Sequence, residues 1–314
     1  MPRFEGVIPP IITPYDAEGN LHETALRQLV DWYAEAGCTG LWACGGTGES
    51  GLLSCDERVR MVELLDEYVE RRMQIIFHVC AATTADAVAA ATRCQELGID
   101  AICSMPPFCY GKSRGEIVDY YARLADATDR PIFLYNLPDV SGVQLTLPIV
   151  EAIVERVPSV VGIKQSAGVA DFVLELLRFK PDLQVLIGRG ETTLAALVMG
   201  AQGVVCASLC MAPERFVAIF KAFQAADLRG AMAAQKHATQ VKELFTKFPV
   251  IASTKWVNSK QLGIDCGSPR EPLAPIKKSD EAAIEAMATE LGLLERTPAL
   301  TKVLNRRPVA VRPR

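Results

Sequence analysis

Val160-Val161-Gly162-Ile163-Lys164-Gln165-Ser166-Ala167-Gly168 sets a lysine at the end of a run that otherwise reads as a buried strand. Pro158 bounds the run on one side and the turn former Gly168 on the other. The run is too short for a helix and apolar on both faces. Strands of that kind belong to parallel sheets covered on both sides by helices. Burying an ammonium there is expensive unless something repays it, so the same nine residues raise the question of fold and the question of function.

Working outward, seven further runs have the same character: VIPPIIT (7–13), GLWACG (40–45), IIFHVC (75–80), AICSMP (101–106), PIFLYN (131–136), LQVLIG (183–188) and GVVCAS (203–208). Amphipathic stretches such as ETALRQLVDWYAEAG and DERVRMVELLDEYVERR lie between them, with apolar residues at helical spacing. AEAGCTGLW, ELGIDAIC and MGAQGVV repeat one join, a helix ending on small residues and entering a strand directly. Eight such units predict an α/β fold, a (β/α)8 TIM barrel over residues 1–212, with an open doubly wound sheet as the alternative. The pattern from Pro213 to about Leu294 is helical and predicts a C-terminal helical appendage over 213–296. TPALTKVLNRRPVAVRPR predicts a flexible basic tail over 297–314.

The 314 residues are 50% hydrophobic and 22% charged, with a formal net charge of −4. That balance argues against nucleic acid as a partner. No segment offers the apolar run of a membrane span, and MPRFEGVIPP lacks a signal-peptide core. The ten cysteines include no CxxC, and several lie inside strands, which reads as reduced core thiols in a cytoplasmic protein.

In such a barrel the chemistry sits where strands end. Those ends carry GGTGES, MPPFCY, YNLP, KQS and GRGE. Lys164 is the centre of the reading, because a desolvated amine is a nucleophile toward a ketone and forms a Schiff base; a lysine that snorkels or pairs with a carboxylate is the alternative. Tyr135 ends the preceding strand, where its phenol can shuttle protons. Gly46, Gly48 and Gly51 fit G-x-G-x-x-G, but the following strand ends without the acid that a dinucleotide site needs. The glycines instead let backbone amides converge on an anion, with Thr47 adding a hydroxyl. A carboxylate beside a ketone is a 2-keto acid.

GGTGE before a helix, YNLP on the fifth strand and GIKQS on the sixth together resemble the pyruvate-type class I aldolases, the superfamily of N-acetylneuraminate lyase and dihydrodipicolinate synthase. The resemblance spans about residues 4 to 295. It implies Lys164 as the Schiff-base lysine, Tyr135 as proton shuttle, and Gly46 and Thr47 as the carboxylate site. It implies no metal or organic cofactor beyond the covalent Schiff base, a small 2-keto acid as partner, and a homo-oligomer (dimer or tetramer). YNLPDVSGV and KQS are similar to the lyase branch, with Ser166 placed to bond a substrate hydroxyl; the synthase branch has an arginine where this chain has Val140. FPVIASTKW and SPREPLAPI are more similar to the synthase's C-terminal helices. The relay hydroxyls of the family align with Gly46 and Cys109, so both are absent, and Tyr110 is the adjacent substitute. Keto-deoxy sugar acid dehydratases of the superfamily also carry GGTGE and lack the relay tyrosine. After the seventh strand the lyase's Asp-Glu pair aligns with Gly190 and Glu191 in Gly188-Arg189-Gly190-Glu191, where Arg189 is new and suited to a second carboxylate. The expectation is a lyase, aldolase or dehydratase, on a 2-keto-3-deoxy acid. Condensation of pyruvate with an aldehyde, or a non-catalytic keto-acid-binding barrel, are the alternatives.

Overall fold

A computed structural model describes residues 3–108, 110–168 and 170–306. Strands β1 (Gly6–Val7), β2 (Gly40–Ala43), β3 (Gln74–His78), β4 (Ala101–Ser104), β5 (Ile132–Asn136), β6 (Val160–Gln165), β7 (Gln184–Ile187) and β8 (Gly203–Val204) form one parallel sheet. The ladder runs from β1 through β8 and down in order to β2. The remaining gap is bridged, since the Thr39 amide donates to the Val7 carbonyl and the Trp42 amide to that of Pro9, each at 2.9 Å. The sheet is therefore a TIM barrel with helices between its strands, and the open-sheet alternative falls.

Two strands are shorter than the sequence pattern suggests. β1 stops at Val7 because Pro9 and Pro10 have no N–H to give to a ladder, although Ile11, Ile12 and Thr13 stay buried. β8 stops at Val204, and a 3₁₀ turn over Ala207–Cys210 takes up the rest of that run.

Inside the barrel Phe4, Ile8, Trp42, Ile76, Phe133 and Leu186 fill the floor. Gly162 of β6 is required by that packing, since a Cβ there would lie 2.3 Å from the Phe133 ring. Outside, apolar helix faces close over the strands. The helix Cys55–Val69 starts on a capping box in which Ser54 and Glu57 satisfy each other's backbone amides.

Helix Pro213–Gln224 packs on β1 and on helices Thr193–Val198 and Glu23–Ala36, so it takes the eighth place in the outer ring although the sequence pattern assigned it to the appendage. Helices Leu228–Thr239, Lys242–Lys247, Val250–Leu262 and Glu281–Glu290 follow, with Val241, Leu244, Val257, Ile284 and Leu293 in a core of their own. Residues 263–277 carry no helix, as Pro269, Pro272 and Pro275 forbid one. The expected flexible tail begins as a docked helix, Pro298–Leu304, which buries Leu300 and Val303 against Glu23–Ala36, while Lys302 and Arg306 pair with Glu35. Its remaining residues, 307–314, lie outside the described residues. Among the described residues no helix is long and apolar enough to cross a membrane, and of the ten cysteines the nine described are free thiols.

Candidate active site

β5 and β6 run in register so that Tyr135 and Lys164 are partners across the ladder. Both point into the barrel mouth and are almost wholly buried, at 5% and 4% exposed. The Lys164 Nζ lies 4.2 Å from the centre of the Tyr135 ring and 4.7 Å from that of Trp42. Trp42 in turn meets Tyr135 edge to face at 5.7 Å. The amine thus stands in an aromatic cup, and among the described residues no carboxylate pairs with it. Cation–π contact is a modest substitute for water or a counter-ion.

A third polar residue enters the cup from β3. His78 is fully buried and meets the Tyr135 ring edge to face at 5.8 Å. Its Nδ1 donates to the Cys44 carbonyl at 3.1 Å, and its Nε2 has no partner. Burial first, then the Arg58 and Lys164 charges, hold its pKa down to about 3. Sequence reasoning missed it, because IIFHVC reads as one more core strand.

β2 leads into the glycine-rich loop through Cys44, which has a left-handed backbone (φ 53°), and the loop leaves through Glu49, also left-handed (φ 62°). Gly48 is needed between them, since a Cβ would come 2.9 Å from the Ile11 carbonyl oxygen. At Gly46 a Cβ would meet nothing within 4 Å. Among the described residues the amides of Gly46 and Thr47 donate to no acceptor, and Thr47 is half-buried with a free hydroxyl. Unspent donors beside an unpaired amine suit a carboxylate. Gly51 sits in a 3₁₀ turn, Ser50–Leu52, and the helix opens only at Cys55. The third glycine therefore does not open a helix as in a dinucleotide fingerprint.

The loop is pinned from the far end of the chain. Glu49, its side chain fully buried, takes Lys255 of helix Val250–Leu262 at 2.6 Å and the Arg270 amide at 2.7 Å. Lys255 is 1% exposed, lies 3.9 Å from the Tyr15 ring centre and also donates to the Ser268 carbonyl. Burial lowers the Lys255 pKa, with Glu49 working against it. The Arg270 guanidinium forks onto both Glu57 oxygens, at 2.7 and 2.9 Å. The only hint in sequence was a charged residue within each of two otherwise special stretches, GGTGES and FPVIASTKW.

The other strand ends are mixed. Ser166 is buried with its Oγ against Gly188, where a Cβ would come within 1.8 Å. Arg189 lies over Gly168 and donates its Nε to the Ser166 carbonyl at 3.1 Å. Arg189 and Glu191 line one cavity of about 110 Å³ together with Gln165. Glu191, however, is already committed to Lys242. Burial raises its pKa, and the Lys242 contact, a backbone hydrogen bond and the Arg189 charge together offset that, leaving it below the usual carboxylate value. Tyr110 departs from expectation. It is 79% exposed, with Lys112 over its ring, and reaches no group of the cup in its own chain. Cys109 lies outside the described residues. A larger cavity of about 790 Å³ is lined by Gly46, Arg58, His78, Cys80, Met105 and Phe108 among others.

Comparison with known proteins agrees with this fold. The model of the dihydrodipicolinate synthetase family matches residues 3–291. N-acetylneuraminate lyase of Escherichia coli is 30% identical over 290 residues, 92% of this chain and 97% of that protein. An uncharacterized DapA-like lyase of Halobacterium salinarum is 30% identical over 291 residues, covering 93% and 95%. Among solved structures, dihydrodipicolinate synthase DapA-2 of Bacillus anthracis superposes with a TM-score of 0.86 at 25% identity, covering 92% of this chain and 99% of that one. A sialic acid aldolase of Ruminococcus gnavus gives 0.86 at 23%, covering 95% and 97%, and shares the fold. The chain belongs to the dihydrodipicolinate synthetase family, as a class I lyase whose family works through a lysine Schiff base without a metal.

Proposed function

We propose that Lys164 forms the Schiff base with a 2-keto-3-deoxy acid and that the enzyme cleaves or dehydrates that acid, with pyruvate as product or donor. The observation that carries this reading is the unpaired amine of Lys164 in its aromatic cup, in register with Tyr135. The amine adds to the keto carbon, and the carbinolamine hydroxyl takes the phenol proton of Tyr135 and leaves as water, giving an iminium and a Tyr135 phenolate. Tyr135 takes the proton of the C4 hydroxyl as the C3–C4 bond breaks, and the electron pair of that bond flows into the iminium. An aldehyde leaves, the enamine regains a proton at C3, and water returns the ketone and the free lysine. The Gly46 and Thr47 amides with the Thr47 hydroxyl hold the carboxylate.

Ser166, Gly188, Arg189 and Glu191 read the rest of the substrate, and Arg189 meets a second carboxylate. Among the described residues its terminal nitrogens have no hydrogen-bond partner once Nε is bonded to Ser166, which supports this role. Similarity to a lyase of neuraminate bears on the class of acid rather than its identity. The free thiols fit a cytoplasmic protein, and the exposed Tyr110 and Val140 fit a homo-oligomer.

A panel of 2-keto-3-deoxy acids, with pyruvate release followed by a coupled reductase, tests the reading. Turnover on at least one acid, lost in Lys164→Met, is expected. Arg189→Ala should raise KM about tenfold for acids ending in a carboxylate, the scale of one charge-assisted hydrogen bond, and much less for neutral-ended acids. Release from none of the panel by the intact enzyme would remove the lyase reading, and an equal KM change across both groups would remove the role of Arg189.

A further inference from the structure

Among the described residues, two buried side-chain polar atoms at the cup have no hydrogen-bond partner, the indole Nε1 of Trp42 and Nε2 of His78. The histidine is the more telling. Its tautomer is fixed, since Nδ1 must carry the hydrogen that it donates to the Cys44 carbonyl. Arg58, which faces the same cavity, and Lys164 both repel a second proton. The ring is therefore neutral near pH 7 and offers one acceptor lone pair. Leaving such an atom buried and unsatisfied is costly, and groups that bear this cost are commonly ones that a ligand completes.

We infer that His78 is a specificity-determining residue of this site, its Nε2 accepting a hydrogen bond from a substrate hydroxyl beyond the C4 hydroxyl that Tyr135 deprotonates. The inference rests on the Schiff-base reading above and deepens it, for it selects, among 2-keto-3-deoxy acids, those that carry a further hydroxyl beyond C4. His78 lines the large cavity and its ring meets that of Tyr135 edge to face at 5.8 Å, so it stands between that cavity and the phenol. The bond to Cys44 does more than fix the tautomer. Cys44 is the left-handed residue that turns β2 into the Gly46–Thr47 loop, so the acceptor and the carboxylate cradle are held by one backbone unit. A pocket built to bond a hydroxyl discriminates strongly against an analogue lacking it.

The matched pair 5-hydroxy-2-oxopentanoate and 2-oxopentanoate differs by one hydroxyl, and neither carries the C4 hydroxyl that cleavage needs. The concentration of each acid giving half-maximal borohydride-trapped adduct on Lys164 is measured for the wild type, His78→Phe and His78→Gln. The ratio of the two midpoints should collapse by about tenfold or more in His78→Phe, and His78→Gln, which keeps an acceptor, should restore part of it. A merely structural role would shift both midpoints together and leave the ratio unchanged, which overturns the inference. Nitrogen NMR of the wild type gives an independent reading, since the chain has only three histidines. The His78 Nε2 resonance should move with the hydroxylated acid and not with its partner. If neither acid traps, the Schiff-base reading fails by itself and the resonance alone decides on His78: a shift with the hydroxylated acid retains it as the acceptor, and an unmoved signal rejects it.

Discussion

Two lysines are almost wholly withdrawn from water, Lys164 at 4% and Lys255 at 1% exposed. Lys255 has the carboxylate of Glu49 and a backbone carbonyl to repay its desolvation. Lys164 has two aromatic faces and, among the described residues, no carboxylate. A cost left standing at the mouth of a barrel is the mark of a reagent rather than of a strut. His78 carries a second such cost, and it has a consequence for acid stability. Its folded pKa is held near 3, whereas an unfolded histidine titrates near 6.5. Between those values the unfolded chain binds a proton that the folded one refuses, so stability falls as pH drops from about 6.5 toward 3, by at most about 1.4 kcal/mol per pH unit. Above that window the effect is absent. Chemical denaturation across this range should show a shallower acid limb in His78→Gln than in the wild type; identical limbs would mean that His78 is protonated in the folded state, beside Arg58 and Lys164.

At the scale of elements, the glycine-rich loop and helix Val250–Leu262 are joined by an ion pair that neither could afford alone. Lys255→Met leaves the buried Glu49 carboxylate with no counter-charge, and roughly 3–5 kcal/mol of stability should be lost in urea unfolding, the usual scale for breaking a buried pair. Pairing it with Glu49→Gln should cost much less than the sum of the two single changes; simple additivity would show that the pair does not act as a unit. The sequence made the strands legible and this brace illegible, for one physical reason. Strands and helices announce themselves through local periodicity, and a charge at the end of an apolar run, as at Lys164, stands out against it. Tyr135 was found by the same rule. Glu49 and Lys255 meet only through the tertiary fold, and each alone reads as an ordinary charged residue. His78 was hidden differently, since only the coordinates show that one ring nitrogen is spent on Cys44 and the other on nothing. Pro9 and Pro10 stand in plain view in the sequence, and their missing N–H groups are what shortens β1.

For the whole molecule, the barrel is closed and the C-terminal helices are tied to its active face through Glu49, Glu57 and Arg270. The helix Pro298–Leu304 returns to the first barrel helix, so the chain clamps its own beginning near its end. Among the large apolar side chains that the single chain leaves exposed are Tyr110 and Val140, at 79% and 61%. Light scattering in solution should give a mass of two or four chains; a monomer at working concentration would contradict the oligomer reading and leave Tyr110 without a packing role.

The most direct test of the central claim is borohydride reduction of the protein in the presence of pyruvate, read by peptide mass spectrometry, with Lys164→Ala as control. A reduced pyruvate adduct on Lys164, with none on Lys255 or in the control, is expected. A folded protein that yields no adduct, or one whose adduct lies on another lysine, would contradict it.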